Sequence, residues 1–130
     1  MAAPKGRVLI VDDQFLIIEF LRIWTEACGF AVCETAMTAQ AGVAMALEHK
    51  PDIVLMDVQM PEMDGYEATR RILELVPDLP IIAQTAHAFR EEIERCLSAG
   101  MVAHIAKPID PDLLVKLIRL HVTNRGKAAC

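Results

Sequence analysis

This 130-residue chain has no excess of basic residues, no paired-cysteine motif, no membrane-length apolar run and no glycine-rich phosphate loop. A net charge of −5 leaves no basic footprint for a nucleic-acid backbone, so direct nucleic-acid binding is not expected. The four cysteines, Cys28, Cys33, Cys96 and Cys130, form no CxxC pair and no cluster with histidine, which suits thiols kept reduced in the cytosol. Residues Met1 to Gly6 lack an apolar signal region, and no stretch nears the roughly 20 apolar residues of a spanning helix. A cytoplasmic protein without membrane contact is therefore expected. No internal repeat, low-complexity block or linker divides the chain. With 54% hydrophobic and 24% charged residues over this length, it reads as one folded domain, 1–130.

Short β-branched runs alternate with helical patterns along the whole chain, the mark of βαβ units and a parallel sheet. Strands are predicted at about residues 7–12, 31–35, 52–57, 80–85 and 102–106. The second has a short, alternating apolar content that suits an edge. The first helix carries the stripe Ile17, Phe20, Leu21, Trp24 and Cys28 toward the core and ends at Gly29. The last begins at Asp110 as N-cap with Pro111 in its first position, and its stripe is Leu114, Leu117, Ile118 and His121. Residues from Thr123 to Cys130 are expected to fray. The fold class is α/β: a doubly wound, flavodoxin-like sheet of five parallel strands in the order 2-1-3-4-5 with five helices.

In such a sheet the ligand crevice lies beyond the carboxyl ends of the strands, where the order reverses. Four strand ends here carry chemistry. Val8-Leu9-Ile10-Val11 ends in Asp12 and Asp13, Ile53-Val54-Leu55-Met56 in Asp57, Ile81-Ile82-Ala83-Gln84 in Thr85, and a last run in Lys107-Pro108. An acid pair, an acid, a hydroxyl and an amine at one rim make a phosphoryl-transfer site.

The set Asp12-Asp13, Asp57 with Met60-Pro61-x-x-Asp64-Gly65, Thr85-Ala86 and Lys107-Pro108 resembles the receiver domain of two-component response regulators, over a core of about residues 7–122. The resemblance implies that Asp57 is the phosphoacceptor, loaded by a histidine kinase or a histidine phosphotransfer protein. As a carboxylate nucleophile, Asp57 forms an acyl phosphate. Three carboxylates in one crevice repel one another, and a hard ion, Mg²⁺ (or Mn²⁺), relieves that repulsion with oxygen ligands. By family analogy Asp13 and Asp57 bind it directly, Asp12 through water, and the backbone carbonyl of Gln59 adds a ligand. Lys107 is a second positive charge on the phosphoryl group, aimed inward by a cis bond to Pro108. Thr85 and the amide of Ala86 donate to phosphoryl oxygens.

Further roles follow from the resemblance. Gln59 and His87 flank the mouth and tune the lifetime of the phosphoaspartate. His104 stands where the family carries a tyrosine or phenylalanine that turns inward with the threonine; an exposed strand-end histidine without a switch role is the alternative. Phe15, Leu16, Ile18 and Ile23 fall off the core stripe of the first helix and face outward, an apolar patch for docking the phosphodonor, with Pro108 beside it. Asp64 caps the third helix, with Glu67 at the capping-box position. Met60 and Met63 serve turn packing.

Two other classes compete with a signalling switch. A Mg²⁺-dependent aspartyl-phosphate phosphohydrolase needs a DxDx[TV] motif, but Val58-Gln59-Met60 follows Asp57, and there is no cap domain. A flavodoxin-like cofactor binder needs a phosphate loop after the first strand, where two acids stand instead. No independent enzymatic substrate is expected. Phosphorylation is expected to alter the surface of the fourth helix, fifth strand and fifth helix toward a downstream protein partner. The chain stops after the fifth helix, which fits a stand-alone receiver or one cut from a hybrid kinase; Thr85-Ala86-His87-Ala88-Phe89 and Ala99-Gly100-Met101 look like the latter.

Overall fold

The structure, a computed structural model, describes residues 6–87 and 89–128, with side chains to residue 123. Expectations that touch residues 1–5, Ala88 or Cys130 lie outside the described residues. Strands β1 (Arg7–Val11), β2 (Ala31–Ala36), β3 (Ile53–Asp57), β4 (Ile81–Thr85) and β5 (Ala103–Ala106) alternate with helices α1 (Phe15–Ala27), α2 (Ala39–His49), α3 (Gly65–Leu75), α4 (Arg90–Ser98) and α5 (Pro111–Ala128). All pairings are parallel and the order is β2-β1-β3-β4-β5, as the alternation predicts. β2 is an edge strand, with a register shift between Val8 and Leu9 of its partner. The chain stays helical through residue 128, where fraying is predicted from residue 123.

Side chains of a strand alternate between faces, so each strand splits its apolar residues between two cores. Val8, Ile10, Ile53, Leu55, Ile82 and Ile105 pack with Ile18 and Leu21 of α1 and Leu114, Val115 and Ile118 of α5. Leu9, Val11, Val54, Met56, Ile81 and Ala83 pack with Ala39 and Ala46 of α2, Tyr66, Ala68 and Ile72 of α3, and Cys96 of α4. Burial on both faces explains why the middle strands read as unbroken apolar runs.

Most of the stripe predicted for α1 faces the core: Leu21 is buried there, and Ile17, Trp24 and Cys28 are partly buried against it. Ile18, Leu21 and Thr25 are the buried residues, while Phe20 is 50% exposed. A polar residue enters the core because the Thr25 hydroxyl donates to the Leu21 carbonyl at 2.7 Å, so its burial leaves no unmet hydrogen bond. Ile18 is buried as well, to 2% exposure, which removes it from the expected docking patch.

The helix ends follow their cap residues. The Asp64 carboxylate accepts from the Glu67 amide at 3.0 Å, and Thr38 accepts from the Ala41 amide at 3.1 Å. Asp110 accepts the Asp112 amide through its side chain and the Leu114 amide through its carbonyl. The Glu67 carboxylate lies against Arg70 and Arg71. Gly29, with φ 94°, lies just beyond the end of α1 in a conformation that side chains resist. Among the described residues no helix is long and apolar enough to cross a membrane. Cys28, Cys33 and Cys96 are free thiols.

Candidate functional site

Register brings the acids together. Val11 of β1 pairs with Met56 of β3, so Asp12, the next residue, comes level with Asp57. Asp12 and Asp57 are both buried, at 0% and 3% exposure, and Asp13 beside them is half-buried. One carboxylate oxygen from each of the three lies within 4.8 Å of the others. Lys107, just past β5, places its ammonium 3.2 Å from Asp12 Oδ2 and 3.5 Å from Asp57 Oδ2. The Lys107–Pro108 peptide bond is cis.

Local backbone fixes the carboxylates. Asp12 Oδ1 accepts from the Gln14 amide at 2.8 Å, and Asp57 Oδ1 accepts from the Gln59 amide at 3.0 Å. That leaves the Oδ2 atoms of both acids toward Lys107. Behind Asp57, α3 begins so close to β3 that only glycine fits. A Cβ on Gly65 would press on the Asp57 carbonyl oxygen and lie 2.8 Å from Val58 Cα. The Gly65 amide donates to the Val58 carbonyl at 3.3 Å, binding the helix start to the strand end.

Burial pushes the Asp57 carboxyl up to about 6. The Gln59 amide opposes this, Asp12 and Asp13 add to it, and Lys107 counters them. An acid crowded by acids is a cluster that could hold a cation. The donors are hard oxygens, and an octahedral Mg²⁺ at about 2.1 Å sets opposite ligands about 4.2 Å apart. The three carboxylates could hold such an ion, and Asp12 Oδ2, which accepts no hydrogen bond among the described residues, faces the Lys107 ammonium instead.

Thr85 ends β4 with its hydroxyl buried and without a hydrogen-bond partner, a donor free for an incoming oxygen. Ala86 follows it on the exposed connection to α4, and Gln59 and His87 are exposed at the same rim. His87 stacks on Phe89, ring centroids 5.1 Å apart. His104 is half-buried on β5 opposite Ala83, on the face shared by Thr85. Of the residues expected to dock a partner, Phe15 and Leu16 are 60% and 68% exposed, Ile23 is exposed with them, and Pro108 is exposed too. Ile17, Phe20, Leu21, Trp24, Pro108 and Ile109 line a mostly apolar hollow of about 240 Å³ beside them.

Two features escape sequence reasoning. Tyr66 of α3 donates to Glu92 of α4 at 2.6 Å, Arg95 lies 4.2 Å over its ring, and Arg95 pairs with Asp64 at 3.5 Å. These contacts tie the turn after Asp57 to α4. The other is Gln84, whose side chain is fully buried within an otherwise largely apolar strand; its only sequence signal is an amide where an aliphatic residue would be expected.

A family model for the response regulator receiver domain matches residues 8–119. Sensor histidine kinase RcsC of Escherichia coli K12 is 37% identical over 121 residues, covering 93% of this chain and 13% of that protein. The chain thus spans a small part of this relative. Polar-differentiation response regulator DivK of Brucella anthropi is 35% identical over 121 residues, covering 92% of this chain and 97% of that protein. Among solved structures, a CheY-like receiver domain protein from Methanospirillum hungatei superposes with a TM-score of 0.88 at 31% identity, over 98% of this chain and 99% of that one.

Proposed function

We propose, from the premise that this chain belongs to the response regulator receiver domain family, that Asp57 accepts a phosphoryl group from a phosphohistidine while the acid cluster holds Mg²⁺. The observation that carries the reading is the Lys107 ammonium reaching two buried carboxylates at one rim, 3.2 and 3.5 Å away. A carboxylate oxygen of Asp57 attacks phosphorus, the nitrogen–phosphorus bond breaks, and the donor imidazole leaves with the electron pair. The Gln59 amide on Oδ1 holds the carboxylate so that Oδ2 presents to the crevice.

Bound Mg²⁺ supplies positive charge against the oxygens of the transferring group. Asp13 and Asp57 are the direct ligands in this reading, with Asp12 acting through water and the Gln59 carbonyl completing the set. Lys107 then leaves its two carboxylates for the phosphoryl oxygens, and the Thr85 hydroxyl and Ala86 amide donate to the same group. Gln59 and His87, exposed at the mouth, govern how water reaches the acyl phosphate. His104 moves with Thr85 as the switch residue. The reading makes the chain a timed switch and not a hydrolase, because Gln59 offers no acid where turnover would need one.

The partners in this reading are proteins: a histidine kinase or histidine phosphotransfer protein as donor, and a downstream protein that reads the altered surface. A single receiver domain with its core at about residues 7–122 and a cytoplasmic location belong to it, and free thiols at Cys28, Cys33 and Cys96 suit a reducing compartment. The exposed Phe15 and Leu16 give the donor an apolar footing next to the rim. Phe15→Glu is expected to slow transfer from a phosphohistidine protein about tenfold, the loss of roughly 1.4 kcal/mol at one interface anchor. Transfer from acetyl phosphate should stay within about twofold of wild type, since no docking is involved. Equal slowing with both donors contradicts docking, and no transfer to wild type from either contradicts the function.

A further inference from the structure

Five buried side-chain atoms among the described residues lack a hydrogen-bond partner, and four of them gather at the acid rim. They are Asp12 Oδ2, Thr85 Oγ1 and both amide atoms of Gln84; the fifth, Thr69 Oγ1, lies on α3. Asp12 and Thr85 already have roles in the site, whereas Gln84 has none. Its residue pairs in register with Asp57 on one side and Ile105 on the other. Adjacent strands lie roughly 5 Å apart, and register partners of a parallel pair point to the same face. Gln84 and Asp57 are thus neighbours across the β3–β4 pair with side chains on one face, that of Leu55, Ile82 and Ile105, and Ile105 lies two residues before Lys107.

A buried amide left without bonds costs about 1–3 kcal/mol, and an aliphatic side chain in its place costs nothing of the kind. Gln84 is 0% exposed, with both a donor and an acceptor unmet, so it needs a polar partner. Among the described residues it has no hydrogen-bond partner, and a buried water takes two to four polar partners of the kind that Asp57 and Asp12 offer. Asp57 keeps lone pairs free after bonding the Gln59 amide, and Asp12 Oδ2, ion-paired with Lys107 at 3.2 Å, accepts no hydrogen bond among the described residues.

We propose that Gln84 is a positioning residue, whose carboxamide bonds the Asp57 carboxylate through a buried water and holds the nucleophile in its attacking orientation. The proposal deepens the phosphoacceptor reading and rests on it. Gln84 touches no reacting atom; it restrains the one that reacts. An aliphatic residue fills the same volume without that restraint, so replacement separates positioning from packing.

The test compares wild type with Gln84→Met and Gln84→Leu, using acetyl phosphate at saturating Mg²⁺. Both variants should form the acyl phosphate about fivefold to tenfold more slowly, the loss of one net hydrogen bond. Their melting temperatures should be equal or higher, and their Mg²⁺ affinity by calorimetry within about twofold, outcomes a packing role alone would not combine with a slower reaction. In wild type, the Gln84 side-chain amide resonances should move when Mg²⁺ and beryllofluoride are added. Variants phosphorylated at the wild-type rate overturn the role of Gln84 and leave Asp57 as acceptor. Failure of wild type to take a phosphoryl group overturns both. If neither variant folds, amide resonances that stay fixed in wild type decide against the proposal.

Discussion

Metal-free wild type is expected to lose stability relative to Asp57→Asn as the pH rises from about 4 to about 7. Burial lifts the Asp57 carboxyl from 3.8 to about 6, so between those values the folded protein holds a proton that the unfolded chain has released. A carboxyl raised in this way contributes stability that is full below its unfolded value and is lost as the pH climbs through the folded one. Above about pH 7 the ionised Asp57 sits in a buried crevice with Asp12 and Asp13, offset by the Gln59 amide and Lys107. Asparagine removes that charge, and the variant should be about 1–3 kcal/mol more stable than wild type there. At pH 4 the two should melt together. His121, lowered by burial, drifts the other way with pH in both proteins and cancels in the comparison. Added Mg²⁺ should reverse the order by binding the folded wild type, while the variant has lost a ligand. Thermal melts across pH check this; a constant gap between the proteins contradicts it.

Gly65→Ala should damage both fold and site. The three atoms nearest the added Cβ are all backbone: the Asp57 carbonyl oxygen, the Asp57 carbonyl carbon at 3.0 Å and Val58 Cα at 2.8 Å. None of these is a flexible side-chain end, so α3 or the end of β3 must move. Forcing atoms into a packed interior costs about 1–3 kcal/mol. The displaced segment is the one that presents Asp57 and carries the Gln59 amide to its Oδ1, so phosphoryl uptake should fall by at least about tenfold. Wild-type melting and a wild-type rate of acyl phosphate formation would show that the close approach is not needed.

The strands and their reactive ends were legible because buried parallel strands leave apolar runs that stop at the crevice, as Ile53 to Met56 stops at Asp57. The order of strands and the meeting of Asp12, Asp13, Asp57 and Lys107 then follow from topology. Side-chain facing on α1 was less legible. Apolar periodicity favours Phe20 for the core, yet Thr25 takes a core place because its hydroxyl bonds one turn back, and Ile18 is buried with it. Contacts between elements distant in sequence leave no local trace. Nothing near Tyr66 announces Glu92, and nothing beside Gly65 announces the Asp57 carbonyl pressing on it. Gln84 reads as the end of an apolar run until its neighbours in the sheet are known.

The central claim is that Asp57 carries the phosphoryl group, and it is tested by mass spectrometry after incubation with Mg²⁺ and acetyl phosphate. Wild type should gain the mass of a single phosphoryl group, dependent on Mg²⁺, labile as an acyl phosphate and mapped to the peptide containing Asp57. Asp57→Asn should gain none. The same phosphate persisting in the variant, or a wild type that gains none, would contradict the account.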